Sequence, residues 1–136
     1  MNAVDTNVII YAHDPRSPAK RSTAEALMRS MADGALMWQV VCEYLSASRK
    51  LDPFGYSRAE AWADIRDLER ICELKVPTWD TVDRTEHFLS RFSLSYWDAL
   101  LVAACPEGGV TRLYSEDITG YSKIDTLELV NPFATP

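Results

Sequence analysis

Apolar residues in this chain fall into short unbroken runs and longer stretches with helical spacing, and the two kinds alternate. Residues 2–4 form the first short run and read as a strand. The polar cluster Asp5-Thr6-Asn7 interrupts it, and residues 8–12 resume as apolar residues opening a short helix. Ser22 followed by Glu25 has capping-box spacing ahead of Ala26, Leu27 and Met31, and Gly34 stands where a helix C′ glycine belongs. Residues 36–38 suit a second strand. Residues 40–51 suit a helix with Val41, Tyr44, Leu45 and Ser48 on one stripe, stopped by Pro53 and Gly55. Residues 57–73 then predict a long amphipathic helix that buries Ala61, Ile65, Leu68 and Cys72.

In the second half, residues 75–78 read as a strand and residues 81–92 as a helix with Phe88, Leu89 and Phe92 inward. Ser95-Tyr96-Trp97-Asp98 is a second capping-box spacing. Residues 99–105 after it are apolar on every side, so this helix is expected to be buried until Pro106, Gly108 and Gly109 end it. A strand over 112–115, a polar turn over 116–121 and a last strand over 126–130 complete the pattern. Strands separated by helices predict right-handed parallel crossovers and a layered α/β sheet. No repeat, linker or low-complexity stretch breaks the chain, so residues 1–136 read as a single domain.

Composition leaves this picture intact: 47% hydrophobic and 25% charged residues are ordinary for a globular domain. The net charge of -6 argues against a partner held by a broad basic surface. That charge is uneven. Residues 1–58 hold seven bases against six acids, and the rest of the chain holds seven bases against 14 acids. Three widely spaced cysteines, Cys42, Cys72 and Cys105, form no CxxC pair and suit reduced core thiols. With no signal-like N-terminus and no apolar segment of about 18 residues, a cytoplasmic protein outside the membrane is expected.

In parallel α/β sheets, ligands bind at the carboxyl ends of the strands. Acidic residues stand at four such places: Asp5 after the first strand, Glu43 in the helix after the second, Asp98 at the start of the buried helix, and Glu116-Asp117 after the strand ending at Ser115. Dinucleotide, P-loop, zincin and hydrolase-elbow motifs are missing. Carboxylates converging on one cleft repel each other unless a cation neutralises them. Magnesium and manganese choose such oxygen ligands, and can activate water and steady the leaving oxygen in phosphodiester hydrolysis. The arrangement therefore points to metal-dependent phosphoryl-transfer chemistry.

Val4-Asp5-Thr6-Asn7-Val8-Ile9, Cys42-Glu43-Tyr44, Tyr96-Trp97-Asp98-Ala99-Leu100 and Leu113-Tyr114-Ser115-Glu116-Asp117 together resemble the PIN domain. Their order and approximate spacing are those of the VapC toxins of bacterial toxin–antitoxin pairs, and the match spans nearly the whole chain. The resemblance implies a three-layer α/β/α sandwich with a mostly parallel central sheet. It implies a magnesium- or manganese-dependent endoribonuclease, inhibited by a small cognate antitoxin and paired with a second copy of itself. Matched residue by residue, Asp5, Glu43, Asp98 and Asp117 correspond to the family's acidic quartet, which holds the metal and carries the catalysis. Thr6 or Asn7 would orient the first carboxylate, and Ser115 would join the site together with Asp117. Glu116 would support them.

Beyond the motifs, His13, Arg16, Lys20 and Arg21, together with Arg49 and Lys50, offer basic groups for RNA phosphates on the approach to the acidic cleft. Trp97, directly before Asp98, is placed to shape a substrate groove. Two other functions compete. One is a PIN-like module that binds RNA or protein without cleaving, for which four converging carboxylates have no use. The other is a phosphatase of the haloacid dehalogenase type, which needs a second Asp two residues after the first, where this chain has Asn7.

Overall fold

The computed structural model describes residues 1–134. Six short strands form one sheet: β1 Asn2–Val4, β2 Ala35–Met37, β3 Glu73–Lys75, β4 Arg112–Tyr114, β5 Lys123–Ile124 and β6 Leu127–Val130. Their spatial order is β3-β2-β1-β4-β6-β5, with every neighbouring pair parallel except β5 against β6. The helices are α1 Thr6–Tyr11, α2 Pro18–Arg29, α3 Trp38–Ala47, α4 Arg58–Ile71, α5 Trp79–Arg91 and α6 Tyr96–Glu107. The expected α/β/α layering with a mostly parallel sheet is therefore present.

Chain order decides where a ligand can sit. From β1 the chain builds outward through β2 to β3, then returns through α5 and α6 to place β4 on the other flank of β1. The chain thus leaves β1 through α1 toward β2 and leaves β4 toward β6 on the opposite flank, opening a crevice at their carboxyl ends. Register sets Val4 beside Tyr114, so Asp5 and Ser115 emerge side by side at that point. Leu113, buried completely in β4, and Val4 anchor this edge in the core.

α6 is buried over Ala99–Cys105 on every side, as its uninterrupted apolar run requires, and α5 packs along it. On the other part of the molecule α1 packs against α2 and α3, and α3 against α4. α4 starts from a capping box in which Ser57 Oγ accepts from the Glu60 backbone N–H at 3.1 Å. Among the described residues no helix is long and apolar enough to cross a membrane.

Several expected boundaries shift. The Ser22–Glu25 spacing lies inside α2, which begins earlier because Pro18 fits the first helical position with its φ already set and no N–H to satisfy. α2 ends at Arg29, so Gly34 is not its C′ residue. Gly34 instead answers a need for space in the turn before β2, since a Cβ there would stand 2.5 Å from Met31 Cε and 2.9 Å from the Met31 carbonyl oxygen. The helix expected over 40–51 is α3, tightening into a 3-10 helix over Ser48–Phe54 that Gly55 stops at φ 90°. β3 falls at Glu73–Lys75, before the expected 75–78. Leu89 faces solvent and Cys42 is exposed, against the expectation of inward positions.

Candidate active site

Asp5 is the last link of the β1–β4 ladder and the N-cap of α1. Its backbone N–H donates to the Tyr114 carbonyl at 2.8 Å, and its Oδ1 accepts from the Thr6 backbone N–H at 2.7 Å. Oδ2 accepts from the Ser115 hydroxyl, also at 2.7 Å. The same Ser115 oxygen accepts from the backbone N–H groups of Asp117 at 3.2 Å and Ile118 at 3.4 Å, folding the segment after β4 back over the end of β1. One buried hydroxyl therefore ties the first and last acids of the quartet together.

Glu43 stands in the second turn of α3 and is held from two sides. Its Oε2 accepts from Thr6 Oγ1 at 3.0 Å and its Oε1 from Gln39 Nε2 at 2.8 Å. Asp98 sits in the first turn of α6, where its backbone N–H donates to Ser95 Oγ at 3.2 Å. Asp117 Oδ2 accepts from Asn7 Nδ2 at 3.0 Å, and Asn7 Oδ1 accepts from the Glu116 backbone N–H at 3.3 Å. Thr6 thus orients Glu43, and Asn7 orients Asp117, while Asp5 is oriented by Ser115 and by the Thr6 main chain.

Asp5, Glu43, Asp98 and Asp117 line one cavity of about 760 Å³, together with Gln39 and Lys50. An adjoining cavity of about 610 Å³ shares Glu43, Asp117 and Lys50 and extends to Arg16. Among the described residues no ion pair reaches any of the four carboxylates. The electrostatic consequence is plain at Asp5. Burial pushes its carboxyl up to about 6, the charges of Glu43 and Asp98 add to the rise, and the Ser115 and Thr6 hydrogen bonds oppose it. Asp98 is raised as well, by burial first and then by the charges of Asp117 and Glu43, with Ser95 pulling the other way.

Four carboxylates in one cavity, mutually repelling and joined to no basic side chain by an ion pair among the described residues, form an oxygen donor set that fits a hard divalent cation. As the side chains lie, no three acids among the described residues are grouped closely enough to grip an ion together, so the common cavity rather than a preformed cage is what joins them.

The remaining expected residues are distributed differently. Glu116 bonds Lys20 Nζ at 2.5 Å, outside the lining of the acidic cavity. Burial opposes ionisation of its carboxyl, but hydrogen bonds with Lys20 and Tyr11 prevail and hold it below the usual range. His13 stacks on Tyr56 at 4.5 Å with its Nε2 3.4 Å from Asp64, and Arg21 pairs with Glu25 at 2.9 Å. Both border a separate groove at α1, α2 and α4. Arg16 is bound to Asp14 but reaches the adjoining cavity. Lys50 faces both cavities. Gln39 joins the site beyond the expected residues, and its signal in the sequence is an amide inside the apolar stretch 36–41, four residues before Glu43.

A PIN domain family model matches residues 3–126 of the chain. No curated protein sequence matches it. Among solved structures, VapC20 of Mycobacterium tuberculosis, described as a toxin that cleaves the sarcin–ricin loop, superposes with a TM-score of 0.66 at 21% identity, covering 86% of this chain and 90% of its own. A toxin–antitoxin complex from Klebsiella pneumoniae gives a TM-score of 0.71 at 15% identity, covering 99% of this chain and 100% of the other. VapBC2 from Rickettsia felis, bound to a DNA fragment from its promoter, gives 0.67 at 13% identity, covering 96% of this chain and 97% of the other. At these identities the likeness is one of fold.

Proposed function

The chain belongs to the PIN domain family, and from that premise we propose that it is a magnesium- or manganese-dependent endoribonuclease, the toxin of a toxin–antitoxin pair. The observation that carries the reading is the convergence of Asp5, Glu43, Asp98 and Asp117 on one cavity at the β1–β4 crevice, with no ion pair to any of them among the described residues. A non-cleaving module has no use for that repulsion.

Asp5, Glu43, Asp98 and Asp117 would hold the metal. A divalent ion there supplies charge neutralisation for the scissile phosphate and acidifies water for attack on phosphorus. The chain's own contribution is orientation. Ser115 holds Asp5 and, through the Asp117 backbone, the segment carrying Asp117; Thr6 and Gln39 hold Glu43; Asn7 holds Asp117. Lys50, facing both cavities, is placed to meet a phosphate of single-stranded or looped RNA that enters between them. His13, Arg16, Lys20 and Arg21, each paired inside the protein, leave Lys50 as the better phosphate contact.

Similarity to toxin–antitoxin complexes supports a cognate antitoxin as partner. The groove between α1, α2 and α4, about 420 Å³ with Ile9, Met28, Leu68 and Ile71 along it, offers such a segment an apolar seat. In this reading the protein works in the cytoplasm, beside its RNA substrate, and as a homodimer. Incubating purified protein with single-stranded RNA tests the activity: cleavage with magnesium or manganese that excess EDTA abolishes is expected, and full activity in EDTA would overturn the proposal.

A further inference from the structure

Gln39 is the second residue of α3, lines the acidic cavity and is only 7% exposed. Its Nε2 spends both hydrogens: one on Glu43 Oε1 at 2.8 Å, one helical turn on, and one on the Trp97 carbonyl oxygen at 2.9 Å. That second bond crosses to the first turn of α6, at the residue directly before Asp98. The other half of the amide is unlike the first. Oε1 is buried and meets no donor among the described residues. A buried oxygen without a partner is unfavourable, so packing alone would favour an apolar side chain here. The group makes sense through its two donors.

Glu43 has Thr6 on its other oxygen, so the carboxylate is gripped from α1 and from within α3, and the Gln39 bridge adds the link to α6. We propose that Gln39 is a positioning residue, which clamps the Glu43 carboxylate to the first turn of α6 and so sets how Glu43 and Asp98 face each other across the cavity. Its effect on RNA cleavage rests on the ribonuclease reading; its effect on metal uptake does not. Because Gln39 acts through Glu43 and spends its donors within the protein, its loss acts on kcat more than on KM.

The test replaces it with methionine, which keeps length and burial but has no donor. Gln39→Met is expected to lower kcat on single-stranded RNA with manganese roughly 10–100-fold, with KM within about twofold. Calorimetric titration with manganese alone, without RNA, is expected to show affinity reduced by a similar factor. Introduced into Glu43→Gln, Gln39→Met is expected to change neither quantity further, which a general packing role would not produce. Gln39→Asn keeps the amide but is too short to bridge; it is expected to fall in the same direction, and serves if the methionine variant does not fold. Wild-type kcat and manganese affinity in a folded variant, or an equal loss in both backgrounds, would overturn the assignment. Weakened manganese uptake beside a wild type that cleaves no RNA would uphold Gln39 and remove the ribonuclease reading instead.

Discussion

Two aspartates at opposite ends of the first helix expose equally little surface and behave in opposite ways. Asp5 caps the start of α1 and is 5% exposed; Asp14, just past its end, is 4% exposed. Asp14 accepts from the Arg16 backbone N–H at 2.9 Å, from Nε at 3.0 Å and from Nη2 at 2.9 Å, and these bonds hold its carboxyl below the usual range against the opposing effect of burial. Asp5 receives only neutral donors, a hydroxyl and a main-chain N–H, and faces two further carboxylates, so its carboxyl rises to about 6. Exposed surface alone does not distinguish a working acid from a structural one: Asp5 lies deeper, and burial dominates its shift, while the Arg16 bonds dominate at Asp14. What distinguishes them is whether the fold supplies the counter-charge or leaves that to a ligand.

The strongest break of this contrast is Asp5→Asn. Asparagine caps a helix as well as aspartate does, so the fold is expected to survive while manganese-dependent RNA cleavage falls roughly 100-fold or more, read from initial rates. Ser115→Ala removes the hydroxyl that orients Asp5 and the Asp117 segment without touching either carboxylate. It is expected to lower the same rate by about 10–100-fold, and to lower unfolding stability by about 1–2 kcal/mol in a denaturant titration.

Stability against pH sharpens the contrast further. Asp5 binds its proton more tightly folded than unfolded, so between 3.8 and about 6 the metal-free native state holds more protons and loses stability as pH rises. Above that window the full penalty of about 2–3 kcal/mol is present. Metal-free Asp5→Asn is therefore expected to melt higher than wild type at neutral pH, and level with it below about pH 4, by calorimetry. Asp14 has the reverse sign. Its lowered carboxyl contributes stability at neutral pH that is lost as pH falls below the ordinary carboxylate value of 3.8. Asp14→Asn is expected to lose about 1 kcal/mol at neutral pH, the guanidinium being partly exposed, and to leave RNA cleavage unchanged. The smallest effect is expected at Glu116→Gln, which breaks only the half-exposed pair with Lys20: less than about 1 kcal/mol in stability and a cleavage rate within about twofold of wild type.

Three of the quartet were legible because a parallel α/β sheet presents its ligands at strand ends: Asp5 and Asp117 follow strands and Glu43 lies in the helix after one, whereas Asp98 opens a helix that follows another helix and was marked by its motif instead. Glu116 and Asp117 could not be separated that way. They are neighbours, and which one faces the cavity depends on two bonds from elsewhere, Asn7 to the Glu116 backbone and Ser115 to that of Asp117. The start of α2 lies outside its local pattern, because Ser22 and Glu25 satisfy a capping spacing that Pro18 pre-empts four residues earlier. β5 carries no sequence signal because its hairpin turns through Asp125 at φ 51°, a left-handed position that aspartate tolerates without a glycine to mark it. Gln39 looked like one polar residue at a helix start. Its meaning lies in a bond to Trp97, 58 positions away in sequence, which no local pattern contains.

The most direct test of the site is calorimetric titration with manganese at neutral pH, run on wild type, on Asp5→Asn, Glu43→Gln, Asp98→Asn and Asp117→Asn, and on Asp14→Asn as the buried acid with its own counter-charge. Saturable uptake by wild type, weakened roughly tenfold or more in each of the four quartet variants and unchanged in Asp14→Asn, is the predicted result. Wild type that takes up no manganese, or quartet variants that bind it as well as wild type, would contradict the account.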